Sequence, residues 1–124
     1  ESTILNFLDQ FLFGLNVYKR GECARAVELL YFAQKPYLQL VRLAENKTHH
    51  WLNPFKALET EISPSAYRQL RSCMTDLEPD HILKAYQNLL AAGTVLITTL
   101  TQEYELTDFG VLTKQLEEDL TGED

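Results

Sequence analysis

Apolar side chains recur at alternating steps of three and four residues through most of this 124-residue chain, and this spacing restricts its fold more than any other feature. The clearest apolar stripe consists of Cys23, Ala26, Leu30, Ala33, Tyr37, Leu40 and Ala44. Since such steps place every member on one face of an α-helix, the segment is predicted to form a long amphipathic helix. Its polar residues, including Gln39, Arg42 and Glu45, fall largely on the other side.

Pro36 interrupts this helical pattern. A proline inside a helix removes one backbone donor and clashes with the preceding turn. The sequence therefore leaves two alternatives open: one helix with a kink, or two helices that meet at Lys35.

The same periodicity predicts helices on both sides of this segment. A first helix is expected from about residue 3 to residue 19, with Gly21 as its stop. Three later helices are predicted to begin where a capping residue is followed directly by proline. Asn53–Pro54 opens a short helix through residue 59 or 61, Ser63–Pro64 opens one through about residue 74, and Glu78–Pro79 opens the longest apolar pattern.

Gly93 lies on the apolar stripe of that longest helix, which predicts that another helix approaches closely there. A last amphipathic piece contains Phe109, Leu112, Leu116 and Leu120. The predicted fold is all-α: an antiparallel up-and-down bundle of four main helices over residues 1–105, followed by a short acidic C-terminal helix and tail over residues 106–124.

The charge of the chain is concentrated at one end. Eighteen acidic residues against eleven basic ones give a formal net charge of −7. Residues 103–124 hold eight of the acids and only Lys114, so the preceding residues are neutral overall. A net negative charge argues against generic nucleic-acid binding, and no nucleic-acid partner is expected.

Nothing in the sequence predicts a membrane span or a disulfide. The longest uncharged run, Ala85–Gln102, carries too many threonines and amides to face lipid. Cys23 and Cys73 show no ligand spacing and are expected to be reduced core residues. No signal peptide is visible, so a cytoplasmic location is expected. Because the chain opens on Glu1 and its only methionine is Met74, it is predicted to be an excised piece of a longer protein.

Residue patterns for the common catalytic chemistries are missing from the sequence. His49 and His50 are adjacent, and neighbours on an α-helix do not project together, so no metal site is predicted. The chain has no Gly-x-Ser-x-Gly elbow, and its five glycines are scattered, so neither a nucleophile nor a phosphate loop is encoded.

Two polar clusters remain as candidates for function. The first is the run Tyr18-Lys19-Arg20-Gly21-Glu22, and the second comprises His49, His50, Trp51 and Asn53, with Lys47 and Lys56 beside them. They are interpreted either as solvated turns or as a ligand wall with aromatic faces for stacking, acids for amines and bases for phosphates. Whether they lie together is open, because a plain hairpin would separate them and a bend at Pro36 could redirect the second.

The motifs that carry these clusters resemble a known family. Tyr18–Glu22 followed by Ala24–Leu30, and then the run His49–Glu59, are similar to the C-terminal helical domain of two-domain nucleotidyltransferases. The family includes the kanamycin and lincosamide nucleotidyltransferases and bacterial relatives of unassigned substrate. The likeness covers roughly residues 3 to 105.

The resemblance implies a division of labour between two domains. In such proteins an N-terminal α/β domain carries a Gly-Ser turn and paired aspartates that hold two magnesium ions. This chain contains neither a Gly-Ser nor an Asp-x-Asp sequence. It is therefore expected to be the substrate-binding half, inactive and without a cofactor when alone, while Mg²⁺ and ATP belong to the full-length protein. The implied partners are the N-terminal catalytic domain or subunit and a small-molecule acceptor.

The resemblance also implies roles for individual residues. Some members take their general base, a carboxylate, from the early helices, which makes Glu22 the first candidate and Asp9 the second. Lys19 and Arg20, beside Tyr18, would face triphosphate oxygens. The residues implied to hold or cover the acceptor are His50, Trp51 and Asn53.

A different class of function is also open. The apolar stripes could instead form a homodimer or receive a partner helix, which would make the chain a protein–protein interaction or dimerisation module with no catalytic role.

Overall fold

A computed structural model describes residues 2–103 and 110–121, and within these ranges every element of regular secondary structure is a helix. The α-helices are α1 (Ser2–Lys19), α2 (Cys23–Glu45), α3 (Leu58–Glu61), α4 (Pro64–Arg71), α5 (Pro79–Glu103) and α6 (Gly110–Thr121). A single 3₁₀ turn, Thr48–His50, lies between α2 and α3. The all-α prediction is confirmed.

Helices α1 and α2 form where the apolar spacing predicts them, with Gly21 at φ 86° in the turn that joins them. The alternative of two helices meeting at Lys35 is wrong, because α2 runs without a break through Pro36. Pro36 is itself buried, and its neighbours Ala33 and Tyr37 are 0% exposed. Core packing on both sides therefore outweighs the local cost of the proline.

The short helices after α2 differ from the prediction at one end. The helix expected to begin at Pro54 begins at Leu58, after Ala57 in the left-handed region at φ 53°, and Asn53 is not its cap. Helix α4 begins at Pro64 as predicted, and the Ser63 hydroxyl caps it by accepting from the Ala66 N–H at 3.1 Å.

Aromatic contacts fix the directions of the three long helices. The Phe7 and Tyr37 rings lie 6.1 Å apart, and a Cβ on Gly14 would lie 3.2 Å from the Leu29 Cβ, so α1 runs antiparallel to α2. The Tyr86 hydroxyl donates to the Ala26 carbonyl at 2.8 Å. A Cβ on Gly93 would lie 2.7 Å from the Phe7 ring, which confirms the close approach predicted at this glycine. Tyr86 also lies against Gly14, so the contacts of α5 run from residue 14 to residue 7 of α1 as its own numbers rise from 86 to 93. Helix α5 is therefore antiparallel to α1 and parallel to α2.

The segment after α3 returns along α2. The Ser63 N–H donates to the Glu45 carboxylate at 2.8 Å, and the Gln34 amide donates to the Cys73 carbonyl at 3.1 Å. As the residue number rises from 63 to 73 in this segment, the partner on α2 changes from Glu45 to Gln34. Helix α4, which lies between these two contacts, is therefore antiparallel to α2.

Helix α6 packs against α1 and α5. Its Leu116 is 5% exposed and belongs to the same hydrophobic core as the long helices. The predicted acidic C-terminal helix is present as α6, whereas Phe109, the first residue of its predicted stripe, lies outside the described residues. The boundary between residues 105 and 106 stays a prediction.

Within the described part of the chain, no helix combines the length and the apolar character that crossing a membrane requires. The uncharged run Ala85–Gln102 lies within α5, where Ala85, Leu89, Ile97 and Leu100 are buried in the core.

Close packing at Gly14 makes a double-mutant test of the fold. A Cβ on Gly14 would lie 2.1 Å from the Tyr86 hydroxyl oxygen, so Gly14→Ala should lower the free energy of unfolding by about 1–3 kcal/mol through overpacking. Tyr86→Phe should cost about 1 kcal/mol, because it removes the buried hydrogen bond to Ala26. In the double variant the clashing oxygen is gone, so the two losses should not add. Urea denaturation of all four proteins measures this, and losses that add to within about 0.5 kcal/mol would contradict the packing described here.

Candidate functional site

A polar stripe on the last turns of α2 anchors the loop that follows it. Gln39, Arg42 and Glu45 follow one another at three-residue steps and contact the segment between α2 and α4. Arg42 is 0% exposed and Gln39 is 9% exposed, so these two residues of the polar side of the helix do not face solvent. The loop folds back over this side of α2 and covers it.

The Arg42 guanidinium makes five hydrogen bonds. Its Nε and Nη2 donate to the Pro54 carbonyl at 3.0 and 2.8 Å, and Nη2 also donates to the Lys56 carbonyl at 2.9 Å. Its Nη1 donates to the Lys47 carbonyl at 3.2 Å and to the Glu61 carboxylate. An arginine has five N–H donors, and a buried charge is tolerated only when its polar atoms are paired. This pairing accounts for the complete burial of the side chain.

Both ends of the loop are fixed as well. Helix α2 is capped by Asn46, which lies in the left-handed region, and the Lys47 N–H donates to the Arg42 carbonyl at 2.8 Å. The Gln39 amide donates to the Trp51 carbonyl at 2.9 Å. At the far end, the Ser63 hydroxyl donates to the Glu45 carboxylate at 2.7 Å. The loop is thus held by side chains of a rigid helix rather than by its own contacts alone.

Glu61 contacts two imidazole rings in addition to Arg42. His49 Nε2 lies 3.0 Å from Glu61 Oε2, and His50 Nδ1 lies 2.9 Å from Glu61 Oε1. Adjacent side chains diverge on an α-helix, but these two sit at the end of a 3₁₀ turn, and their ring centroids are 4.6 Å apart. Hydrogen bonds from Arg42 first, and then from His50, lower the pKa of Glu61 to about 2.

The loop presents its predicted residues in different ways. The His50 side chain is 27% exposed, Trp51 is half-buried, and Asn53 is exposed. Two apolar side chains, Leu52 at 82% and Phe55 at 45% exposure, lie at the surface beside them. Sequence reasoning missed Glu61 as a member of this cluster, because it lies eleven residues beyond His50 and carries no motif.

The other predicted cluster occupies the turn between α1 and α2. The Tyr18 hydroxyl donates to the Pro79 carbonyl at 3.1 Å, which brings the start of α5 to this end of the molecule. Burial, and then the nearby Asp80 charge, raise the pKa of Tyr18. Arg20 Nε lies 3.1 Å from the Glu22 carboxylate, with both side chains at least half exposed. Lys19 is also exposed.

The two clusters lie at opposite ends of α2. This helix has 23 residues, which at about 1.5 Å per residue separates its ends by about 35 Å. Tyr18, Lys19, Arg20 and Glu22 precede its first turn, whereas His50, Trp51 and Asn53 follow its last. Since Pro36 does not divide the helix, the structure answers the open question: the clusters do not form one wall.

Comparison with known proteins places the sequence in context. Residues 1–119 match the family model described as lincosamide nucleotidyltransferase-like, C-terminal domain. No curated protein matches the chain. The matched range includes both polar clusters, and it confirms the resemblance seen in the motifs that contain them.

Replacing Arg42 tests whether it holds the loop. Arg42→Lys keeps the charge but leaves some of the five hydrogen bonds unmade, so the free energy of unfolding should fall by about 1–3 kcal/mol. The control is Arg25→Lys, at a half-exposed arginine 3.5 Å from Glu28, which should change stability by no more than about 0.5 kcal/mol. Trp51 is the only tryptophan and lies in the loop, so its emission should shift in Arg42→Lys alone. Equal effects of the two variants on stability and emission would contradict the anchoring role.

Proposed function

This chain belongs to the family of lincosamide nucleotidyltransferase-like C-terminal domains, and we propose that it is the substrate-binding domain of a nucleotidyltransferase. It would transfer a nucleoside monophosphate from a nucleoside triphosphate to a small-molecule acceptor only together with an N-terminal catalytic domain or subunit. The family match over residues 1–119 carries this proposal. The lack of Gly-Ser and Asp-x-Asp sequences agrees with it, because metal-bound phosphoryl chemistry then has to come from the partner.

The reaction centre is assigned to the turn between α1 and α2. Transfer to a hydroxyl needs a group that accepts its proton while the oxygen attacks the α-phosphorus and pyrophosphate leaves. Glu61 is a weak base, because its pKa is about 2 and its oxygens already contact Arg42 and two histidines. Glu22 contacts Arg20 at the turn. Because its side chain is exposed there, it is accessible to a substrate. Glu22 is therefore the proposed general base.

The basic residues beside Glu22 suit the other substrate. Lys19 and Arg20 are exposed at the same turn, and guanidinium and ammonium groups bind phosphate oxygens. Tyr18, held against the start of α5, would supply an aromatic face. In this arrangement Mg²⁺ and ATP are held by the catalytic domain, and the turn closes over the triphosphate.

The loop after α2 is the competing location for the acceptor. His50, Trp51 and Asn53 offer a stacking face and polar groups on a rigid support. Because the loop meets α2 at Gln39 and Arg42, seventeen or more residues beyond Glu22, at least about 25 Å of helix separates them from Glu22, and one small acceptor cannot contact both faces. The two locations are therefore separable by mutation.

Matched variants in the complex with the catalytic domain decide between them. Glu22→Gln should lower kcat by about 10²–10⁴-fold, as expected for loss of a general base. Glu28→Gln is the control, since Glu28 is also exposed and paired with an arginine, and it should leave kcat unchanged. Asn53→Ala reports on the loop. A loss in Asn53→Ala together with full activity in Glu22→Gln would move the acceptor to the loop and remove Glu22 from the mechanism.

A second candidate function, a dimerisation or partner-binding module, is favoured by one apolar surface. Leu5, Leu12 and Leu112 are 42%, 37% and 47% exposed. They border a cavity of about 110 Å³ between α1 and α6. Apolar side chains grouped in this way are typical of interaction sites.

Sedimentation equilibrium of the chain tests this second candidate. A homodimer through this surface would be concentration-dependent and lost in Leu12→Asp, because a buried unpaired carboxylate is costly. Leu52→Asp, at an 82% exposed leucine in the loop, is the control and should leave the dimer intact. A monomer at every concentration, or a dimer that survives Leu12→Asp, would exclude self-association through this surface.

A further inference from the structure

We propose that His49, His50 and Glu61 form a binding site for a zinc ion. Each residue offers one ligand atom, and the three atoms all lie within 4.8 Å of one another. This proposal depends only on the local geometry of the loop, so it stands or falls independently of the function proposed above.

The Glu61 carboxylate lies nearly as far from each imidazole nitrogen as the ligand atoms of a zinc site lie from one another. Glu61 Oε2 lies 3.0 Å from His49 Nε2, and Glu61 Oε1 lies 2.9 Å from His50 Nδ1. Zinc binds such atoms at about 2.0–2.1 Å in a tetrahedral arrangement, in which neighbouring ligand atoms are about 3.4 Å apart. Moving the carboxylate and each ring apart by a few tenths of an ångström therefore allows an ion to replace the two hydrogen bonds between them.

The donor set favours a transition-metal ion such as zinc over Mg²⁺. Two imidazole nitrogens and one carboxylate oxygen suit zinc, whereas Mg²⁺ prefers an all-oxygen environment with several waters. Three protein ligands leave a fourth position for water. The His49 side chain is 61% exposed, so the site opens to solvent and the ion has a path to it.

In this site Arg42 would orient the Glu61 carboxylate without binding the ion itself. It donates to Glu61 Oε1 while its other hydrogen bonds fix it to the loop backbone, so the carboxylate is held in place before any ion arrives. Partners of this kind orient the ligands of protein metal sites. Glu61 Oε2, the oxygen beside His49, is the one that Arg42 does not contact, and it is the proposed ligand atom.

Zinc binding requires the contacting nitrogen of each ring to be unprotonated. The proton of a neutral imidazole then lies on the other nitrogen: Nδ1 of His49 and Nε2 of His50. The ligand atoms are thus different nitrogens in the two rings, which gives the proposal a spectroscopic signature.

Calorimetric titration of the tag-free chain with zinc at neutral pH tests the site. One ion should bind per chain, and His49→Ala, His50→Ala and Glu61→Gln should each weaken binding at least tenfold while far-UV circular dichroism shows the helices retained. His81→Ala is the matched control, because His81 also pairs with a carboxylate, Asp76, at 2.9 Å, and this change should leave the affinity unaltered. Excess Mg²⁺ should not displace the zinc.

Nitrogen-15 chemical shifts of the histidine rings provide a second measurement that does not depend on the variants. Zinc should shift Nε2 of His49 and Nδ1 of His50 and leave the His81 ring unchanged. The proposal is overturned by the absence of saturable binding, by binding that persists in both His49→Ala and His50→Ala, by displacement with Mg²⁺, or by loss of binding in His81→Ala.

Discussion

Hydrogen bonding by the buried guanidinium of Arg42 is the interaction on which the arrangement of the loop depends. Four of its hydrogen bonds go to backbone carbonyls of Lys47, Pro54 and Lys56, and the fifth goes to the Glu61 carboxylate. A charged group that is 0% exposed has to find all its partners inside the protein, so these carbonyls are drawn toward one point. Residues 54–57 consequently form a turn, and α3 begins only at Leu58. The same contacts place Glu61 where two histidines reach it.

The length of α2 is the second constraint, and it decides what the polar clusters can do. A continuous helix of 23 residues, about 35 Å long, keeps the turn before it apart from the loop after it, which reaches back only as far as Gln39. The turn carries the proposed general base, Glu22, in an accessible position, whereas the carboxylate of the loop, Glu61, is already committed to Arg42 and the histidines. Two separate surfaces follow from this distance: the proposed reaction face at one end, and an anchored loop with a metal-type donor set at the other.

Features governed by local spacing could be predicted from the sequence, and features governed by distant partners could not. The start of α4 follows from Ser63–Pro64, and the close approach at Gly93 follows from its place on an apolar stripe. By contrast, Arg42 looks like any solvent-facing position of an amphipathic helix, because its acceptors lie five to nineteen residues further along the chain. The sequence around Pro36 likewise suggests a break in the helix, because the core packing that keeps α2 continuous comes from residues that are distant in the sequence. The role of Glu61 depends on the path of the whole loop, which no motif encodes.

The rate at which the Arg42 Nε–H exchanges with solvent tests the central claim most directly. Arg25, whose side chain is 51% exposed on the same helix, provides the internal reference in the same nuclear magnetic resonance spectrum. If Arg42 is buried and bonded to the loop as described, its Nε–H signal should exchange orders of magnitude more slowly than that of Arg25 and should stay visible after the latter has disappeared. Equal exchange rates for the two groups would show that the guanidinium is open to water, and would contradict the account of how this loop is built.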